Sequence, residues 1–526
     1  MQNTKLWIQR FFSIITLIFL GWIIFTFLAS PRIGAISSFY RLANPASIVK
    51  LDALIALITL SLFLFGLFIY RRVKIHLTIS TKASWLILIL ELVVYVLFLM
   101  MFVNKLHFIH SVDDAQVVFN WTLHHHSANP WSNPTWLNHY MYSNPQNIFL
   151  SFIYRAITTL FGSNFYPVIL FFIGLHAATA LLLFGTLHQL GLTNIKALLV
   201  IQLFLLMPQI ALQAPIAYTD TLSLFFIALT LLTLLIAEKE PRQKTALLWF
   251  FFSSVSALFA FLSKGTSLIL IIAMVVFLFF HHSGKAKLLS LVPLCVFILG
   301  NFGWKQTINL ANIYPDTGYG QPNTHYVMMG MSQTPIPSNL SKDAKQQWMV
   351  GIYSSADQAY SWNLFYNKRL PKKVIMHKQL TRYIGRLRAM RPKQLLAALS
   401  NKISVVWGTG DLKTSFSFAR GMKDPNRGVA FFSKGKWAKF FYCLMTATQL
   451  AMYFGIVIGI LVNFRRYNHW VLFSTIFLSG YFVFMLLWEV NPRYAIAIVP
   501  IGILLTGMTI AAPVTNQHPD VSGLDN

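Results

Sequence analysis

The sequence predicts an all-α polytopic membrane protein with about twelve transmembrane helices, and three observations carry that expectation. Of 526 residues, 56% are hydrophobic and only 11% are charged, where soluble domains run at about 25% charged. The mean hydropathy is +0.59. Apolar runs of about 17–25 residues, long enough to cross a bilayer as a helix, recur through the chain.

The first run, about 8–30, follows Lys5 and Arg10 as the core of a signal peptide would. Phe11–Ala29 exceeds the usual secretory core of about 7–15 residues and no A-x-A-like site follows, so it reads as a retained anchor helix. Further spans fall at about 51–70, 85–104, 165–189, 196–213, 222–237, 245–262, 266–281, 288–304, 438–463, 470–488 and 495–512. Asn147–Gly162 is apolar but short and carries Arg155, which suits a helix lying on the outer leaflet. The chain therefore divides into an N-terminal hairpin (1–84), a transmembrane core (85–304) with a first outer loop (105–147), an extracytoplasmic loop domain (305–437), C-terminal transmembrane helices (438–512) and a cytoplasmic tail (513–526).

The formal net charge is +27. Such a balance suggests nucleic acid first, but the positive residues lie beside apolar spans and in one long loop, so nucleic acid is set aside in favour of membrane lipids or an anionic glycan. Short-loop cations set the orientation. Lys5 and Arg10, then Arg71, Arg72 and Lys74, then Lys196, then Lys239, Arg242 and Lys244, then Lys285 and Lys287, and finally Arg465 and Arg466 all fall on one side of a twelve-span chain. That side is expected to be the cytoplasm, with both termini in it. The two cysteines, Cys295 and Cys443, sit in apolar spans and offer neither a disulfide framework nor a zinc spacing.

The polar residues of interest then cluster at the outer turns. Ser111–Asn147 opens with Asp113 and Asp114 and is rich in Trp, Tyr, His, Asn and Pro. Ionisable groups at a membrane boundary are costly to desolvate, which marks them as functional candidates. A carboxylate there can take a proton from an acceptor hydroxyl; the plainer role is to flank a solvated loop. In Gln213–Thr221, Tyr218 and Asp220 suit binding of sugar hydroxyls, and Asp220 equally suits capping the next helix. Lys264 suits a lipid phosphate or snorkelling to the interface. His325 is a substrate-binding candidate with a structural alternative. Glu489 and Arg493 close the last outer turn, where Arg can grip a phosphate with two donors or the two can form an ion pair. His124–His126 are adjacent, so their side chains cannot all face one ion, and no metal ligands are assigned. No cofactor is certain; a divalent cation held by the paired acids is the one candidate.

The acidic pair, then P-x-x-Y-T-D (Pro215–Asp220), S-K-G (Ser263–Gly265), H-Y-V-M-M-G (His325–Gly330) and E-x-x-P-R-Y (Glu489–Tyr494) together resemble the bacterial GT-C glycosyltransferases. These polytopic enzymes are similar to protein O-mannosyltransferases and the aminoarabinose lipid A transferase, and the likeness leans to Gram-positive members that decorate cell-wall polymers such as teichoic acids. The resemblance spans about residues 105–500. It implies a polyprenyl-phosphate-linked sugar as donor, an inverting transfer on the outer face, and a glycan, lipid or protein acceptor. It makes Asp113 or Asp114 the base, Lys264 and Arg493 phosphate ligands, and Tyr218, Asp220 and His325 substrate ligands. The acidic loop follows the third helix here, not the first, so 1–84 would be an added hairpin. A flippase of lipid-linked saccharide is the alternative; it would place ionisable residues near the bilayer midplane and often shows repeated halves, and no repeat is visible.

Overall fold

The computed structural model describes residues 2–29, 45–72, 79–316, 318–335 and 348–511. The expected tail 513–526 and Lys74 lie outside them. The fold is all-α and polytopic, apart from one short antiparallel pairing of Gln333–Pro335 with Trp348–Val350. Among the described residues, nine helices are long and apolar enough to cross a membrane. Asn194–Leu205 and Pro208–Ile216 meet at 66°, the shape of a broken span or a re-entrant loop, and make a tenth span if the pair crosses as one. Pro208 opens the second piece, and its missing N–H and ring end the helical ladder at that point. The two remaining expected spans are also helical but shorter, Gly265–His281 and Pro492–Met508.

Local sequence explains where the helices begin. Ser80 accepts from the Ala83 N–H at 3.1 Å and caps Thr81–Lys105. Asn468 does the same for His469–Leu487, accepting from Trp470 and Val471 at 3.0 and 3.4 Å. Ile148–Phe161 is a helix of two faces, with Ile148, Leu150, Ser151, Tyr154 and Ile157 buried and Leu160 and Phe161 exposed. Arg155 bonds the carbonyls of Thr122 and His125 at the end of the Asp113–His124 helix. That places a cation where orphan carbonyls and the negative dipole end need one.

The core sits around Thr219–Lys239 and His469–Leu487, the most deeply enclosed spans, while Lys50–Ile69 and Gly284–Leu310 leave most of their side chains on the outside. Lipid is as apolar as leucine, so packing and polar contacts hold such helices together. Thr16 with Ser479 at 2.9 Å and Ser223 with Ser267 at 2.8 Å are examples. Gly455 and Gly459, one helical turn apart, let Gly435–Val462 lie directly on the last helix. A Cβ on Gly459 would fall 2.3 Å from the Leu505 carbonyl oxygen, and one on Gly455 2.1 Å from Thr506 Oγ1.

Side-chain bonds sort the chain into two ends. Lys5 bonds the His281 carbonyl, and Gln9 bonds the Asn463 and Arg466 carbonyls at 3.0 and 3.1 Å. Glu238 meets His281 and His282. The turns carrying Lys5, Arg10, Lys239, Lys285 and Arg465 therefore share one end of the bundle. The acidic loop, the Tyr218 turn, Lys264 and the Glu489–Tyr494 turn share the other.

Because Gly459 sets the seat of the helix headed by Arg493, Gly459→Ala should force a backbone shift. The cost expected is about 1–3 kcal/mol, read as a lower apparent unfolding temperature of the purified protein in detergent. An unchanged midpoint would mean that the two helices are not in the contact described.

Candidate functional site

Three separate ties bring the site together. The backbone at Phe108 pairs antiparallel with Met422, and Ile109 N–H bonds the Gly421 carbonyl at 3.0 Å. This draws the 411–420 segment beside the acidic loop. Ser111 Oγ donates to the Ile216 carbonyl at 2.9 Å and ties the same loop to the Tyr218 turn. Glu489 N–H bonds the Tyr326 carbonyl at 2.9 Å, and Gly330 packs so closely on the end of the His469–Leu487 helix that a Cβ there would lie 2.2 Å from the Leu487 carbonyl oxygen.

Asp113 and Asp114 open the Asp113–His124 helix, where the positive dipole end favours carboxylates. Asp113 has φ +51°, a left-handed conformation that Asp tolerates better than most residues. Asp113 pairs with Arg420, and Asp114 Oδ2 accepts from Arg493 at 3.0 Å. Arg493 Nε then faces Asp220 Oδ2 at 3.8 Å, and Asp220 Oδ1 pairs with Lys264. The Tyr218 ring lies 4.7 Å beneath the Arg493 guanidinium, and the Tyr494 ring 4.6 Å from the Lys264 ammonium. Tyr218 Oη donates to Asn147 Oδ1 at 3.2 Å, and Asn147 donates to Tyr140 Oη at 2.9 Å.

The gap between Arg493 Nε and Asp220 Oδ2 is informative. Both atoms are buried and neither has a hydrogen-bond partner among the described residues. Beside Arg493 lies a small pocket, with a cavity volume of about 10 Å³, lined by Asp113, Gln213, Tyr218, Lys413, Ser417 and Arg493. Burial first, and then the charge of Arg493, lowers the pKa of both Lys264 and Lys413. Asp113 and Asp114 act in the opposite sense on Lys413, so cations and carboxylates alternate around the pocket. Arg493 and Lys413 offer donors suited to a phosphate, and Asp113 on the same pocket offers a carboxylate suited to a hydroxyl.

Of the residues singled out from sequence, Asp113, Asp114, Tyr218, Asp220, Lys264, Glu489 and Arg493 all come to this end. Asp220 does not cap its helix; Tyr218 is the cap residue, and the Asp220 carboxylate goes to Lys264. Lys264 is buried against Asp220, not extended to the interface. Arg493 pairs with Asp114, not Glu489. Glu489 is only 8% exposed. His325 is buried and turned to Ser361, with Nδ1 2.8 Å from Ser361 Oγ, and burial lowers its pKa to about 4. It reaches the site through its neighbour: Tyr326 Oη contacts Asn144 and Gln146. His124 ends the Asp113–His124 helix, His125 follows it, and His126 meets Arg155.

Sequence reasoning missed Lys413, Arg420, Tyr140 and Asn147. Lys413 and Arg420 sit in a loop crowded with cations, where no single one stands out. Leu412 and Lys413 are consecutive left-handed residues, with φ of +52° and +63°, in Gly-Asp-Leu-Lys. A glycine beside a lone acid in a basic loop is the signal that was there to read.

The chain matches the model of the dolichyl-phosphate-mannose-protein mannosyltransferase family over residues 144–302. That stretch holds Asn147, Tyr218, Asp220 and Lys264, while Asp113, Asp114 and Arg493 lie outside it. The match supports a membrane glycosyltransferase of the GT-C type. No curated protein matches the chain.

Glu489 gives the site a pH dependence. Burial is the largest influence; Arg493 opposes it, Asp114 adds to it, and the carboxyl ends pushed up from 4.5 to about 7. A carboxyl raised in the fold stabilises it only while protonated, so that stability is lost as pH rises through about 4.5 to 7. Glu489→Gln mimics the protonated form at every pH. Its stability relative to the parent should improve between about pH 5 and 7.5 by on the order of 3 kcal/mol. Parallel unfolding curves across that range would show that Glu489 does not titrate there.

Proposed function

We propose that the chain transfers a sugar from a polyprenyl-phosphate carrier to a hydroxyl of an extracytoplasmic acceptor, with Asp113 as general base. The observation that carries this reading is the pocket that Asp113 lines together with Arg493 and Lys413. In the step, Asp113 takes the acceptor hydroxyl proton as that oxygen bonds to the anomeric carbon. The bond from the anomeric carbon to the phosphate oxygen breaks, and its electron pair leaves on the polyprenyl phosphate. One displacement at one carbon inverts its configuration. Arg493 and Lys413 balance the charge that develops on the leaving phosphate. Asp114 holds Arg493 in place from one side and is a positioning residue.

The membrane geometry suits a lipid donor. The carrier's tail can lie along the helices while its phosphate reaches the site at their ends. The basic clusters share the opposite end, which the distribution of Lys and Arg assigns to the cytoplasm. The acceptor then lies outside. A cell-wall polymer such as a teichoic acid fits the long basic stretch around 368–402, which carries many Lys and Arg and no acid. Steering of a polyanion toward such a surface weakens with salt.

The test is transfer of labelled sugar by protein in nanodiscs from a panel of polyprenyl-phosphate sugars. Asp113→Asn is expected to lower kcat by about 10²–10⁴-fold with donor binding kept. Asp114→Asn is expected to act mainly through a higher KM for the donor. A kcat collapse confined to Asp114→Asn would exchange the two roles. Movement of labelled lipid between leaflets with no donor consumed would replace the transferase with a flippase.

A further inference from the structure

At the far end of the bundle lies a cluster that the transfer reaction does not use. Glu238 stands in the last turn of Thr219–Lys239, eighteen residues from Asp220, or about 27 Å along the helix axis. His281 ends the Leu268–His281 helix, and His282 follows it with extended backbone, φ −82° and ψ 165°. The change from helical to extended backbone between neighbours turns both rings toward one carboxylate. Their centroids are 4.8 Å apart with planes at 66°. His281 Nε2 lies 3.3 Å from Glu238 Oε2, and His282 Nε2 lies 3.1 Å from Glu238 Oε1.

We infer that Glu238, His281 and His282 form a binding site for a divalent transition-metal ion of the zinc type, with a solvent molecule completing the coordination. Imidazole and carboxylate donors suit such an ion, with metal–ligand distances of about 2.0–2.2 Å. A tetrahedron of that size has edges of about 3.3–3.6 Å. Each imidazole lies about one such edge from a carboxylate oxygen, His281 from Oε2 and His282 from Oε1, and one donor atom from each of the three residues lies within 4.8 Å of the others. The site also has the outer contact that a ligating histidine usually has. His281 Nδ1 lies 2.9 Å from Tyr467 Oη, which fixes the ring with Nε2 toward Glu238. Tyr467 can accept from Nδ1–H, which leaves the Nε2 lone pair toward Glu238 free for a cation, or donate to Nδ1, which leaves Nε2–H to donate to the carboxylate.

The groups around the cluster are charged and aromatic. Lys5 bonds the His281 carbonyl and senses both Glu238 and Lys287, so a bound ion competes with Lys5 for Glu238. The His469 ring packs 4.9 Å from His281. An ion here clasps the end of the helix that carries Asp220 to the end of the helix that follows Lys264. It would fix, from below, the spacing of two residues that pair at the other end.

The experiment uses the full chain in nanodiscs without a polyhistidine tag, stripped with chelator and exposed to Zn²⁺ or Co²⁺ alone. The parent should retain about one ion per chain after gel filtration, and bound Co²⁺ should give the intense visible absorption of a four-coordinate site. X-ray absorption of the parent should show a nitrogen–oxygen shell with two imidazoles. Changes outside the first coordination shell weaken metal sites by about 10–100-fold, so His282→Ala and Glu238→Gln should cost at least that much. Replacing His124–His126 together with alanine should leave the bound ion in place. A parent that keeps no ion at micromolar free Zn²⁺ would overturn the inference and leave two imidazoles hydrogen-bonded to Glu238. Undiminished binding by His282→Ala would overturn it as well, and the absorption spectrum of the parent decides the matter should a variant fail to fold.

Discussion

Arg493 between Asp114 and Asp220 is the contact on which the rest of the site depends. Its guanidinium reaches Asp114 at 3.0 Å and stops 3.8 Å short of Asp220, which is itself held by Lys264. The residues joined this way come from the first outer loop, two helix ends in the middle of the chain and the head of the last helix. Sequence distance between them is bridged by charge, and charge acts strongly at the rim of a membrane bundle where water is scarce. Removing one partner of such a set leaves the others desolvated and unpaired, which is why these contacts are expensive to break.

The helices exist to hold that set at one level. The close seat of Gly435–Val462 on the last helix fixes where Arg493 begins. The Tyr326 and Gly330 segment fixes the turn that carries Glu489. The 107–110 and 421–423 pairing brings Arg420 to Asp113. Each constraint is backbone or small-residue packing, and each positions one charged side chain. The result is a cluster with several cations, carboxylates in contact with them, and buried atoms on Arg493 and Asp220 that face each other at 3.8 Å and have no hydrogen-bond partner among the described residues. A phosphate group would serve the Arg493 guanidinium better than water does, because it accepts from several donors at once.

Much of this was legible in the sequence for a simple reason. A bilayer demands long apolar runs, so every departure from them stands out. Asp113, Asp114, Asp220, Lys264, Glu489 and Arg493 are visible because each interrupts or ends such a run, and the alternation of spans already puts them on one side. The pairing within the set was not legible. Glu489 and Arg493 are neighbours on a turn, yet Arg493 turns away to a carboxylate 379 residues distant. Lys413 and Arg420 lie in the long basic loop, where cations are too common to mark anything. The His281–His282 pair shows a related limit. Adjacent histidines face apart in regular structure, and only the change of backbone at His282, which the sequence does not announce, turns both to Glu238.

The claim at the centre of this account is that Arg493 waits for the phosphate of a lipid carrier. The most direct measurement is equilibrium binding of a sugar-free polyprenyl phosphate to the parent and to Arg493→Lys in nanodiscs. Lysine keeps the charge but loses the fork that spans two partners. The account predicts saturable binding by the parent, weakened by added salt, and a loss of about tenfold or more in the variant. Binding of equal strength by the two proteins, or none by a folded parent, would contradict it.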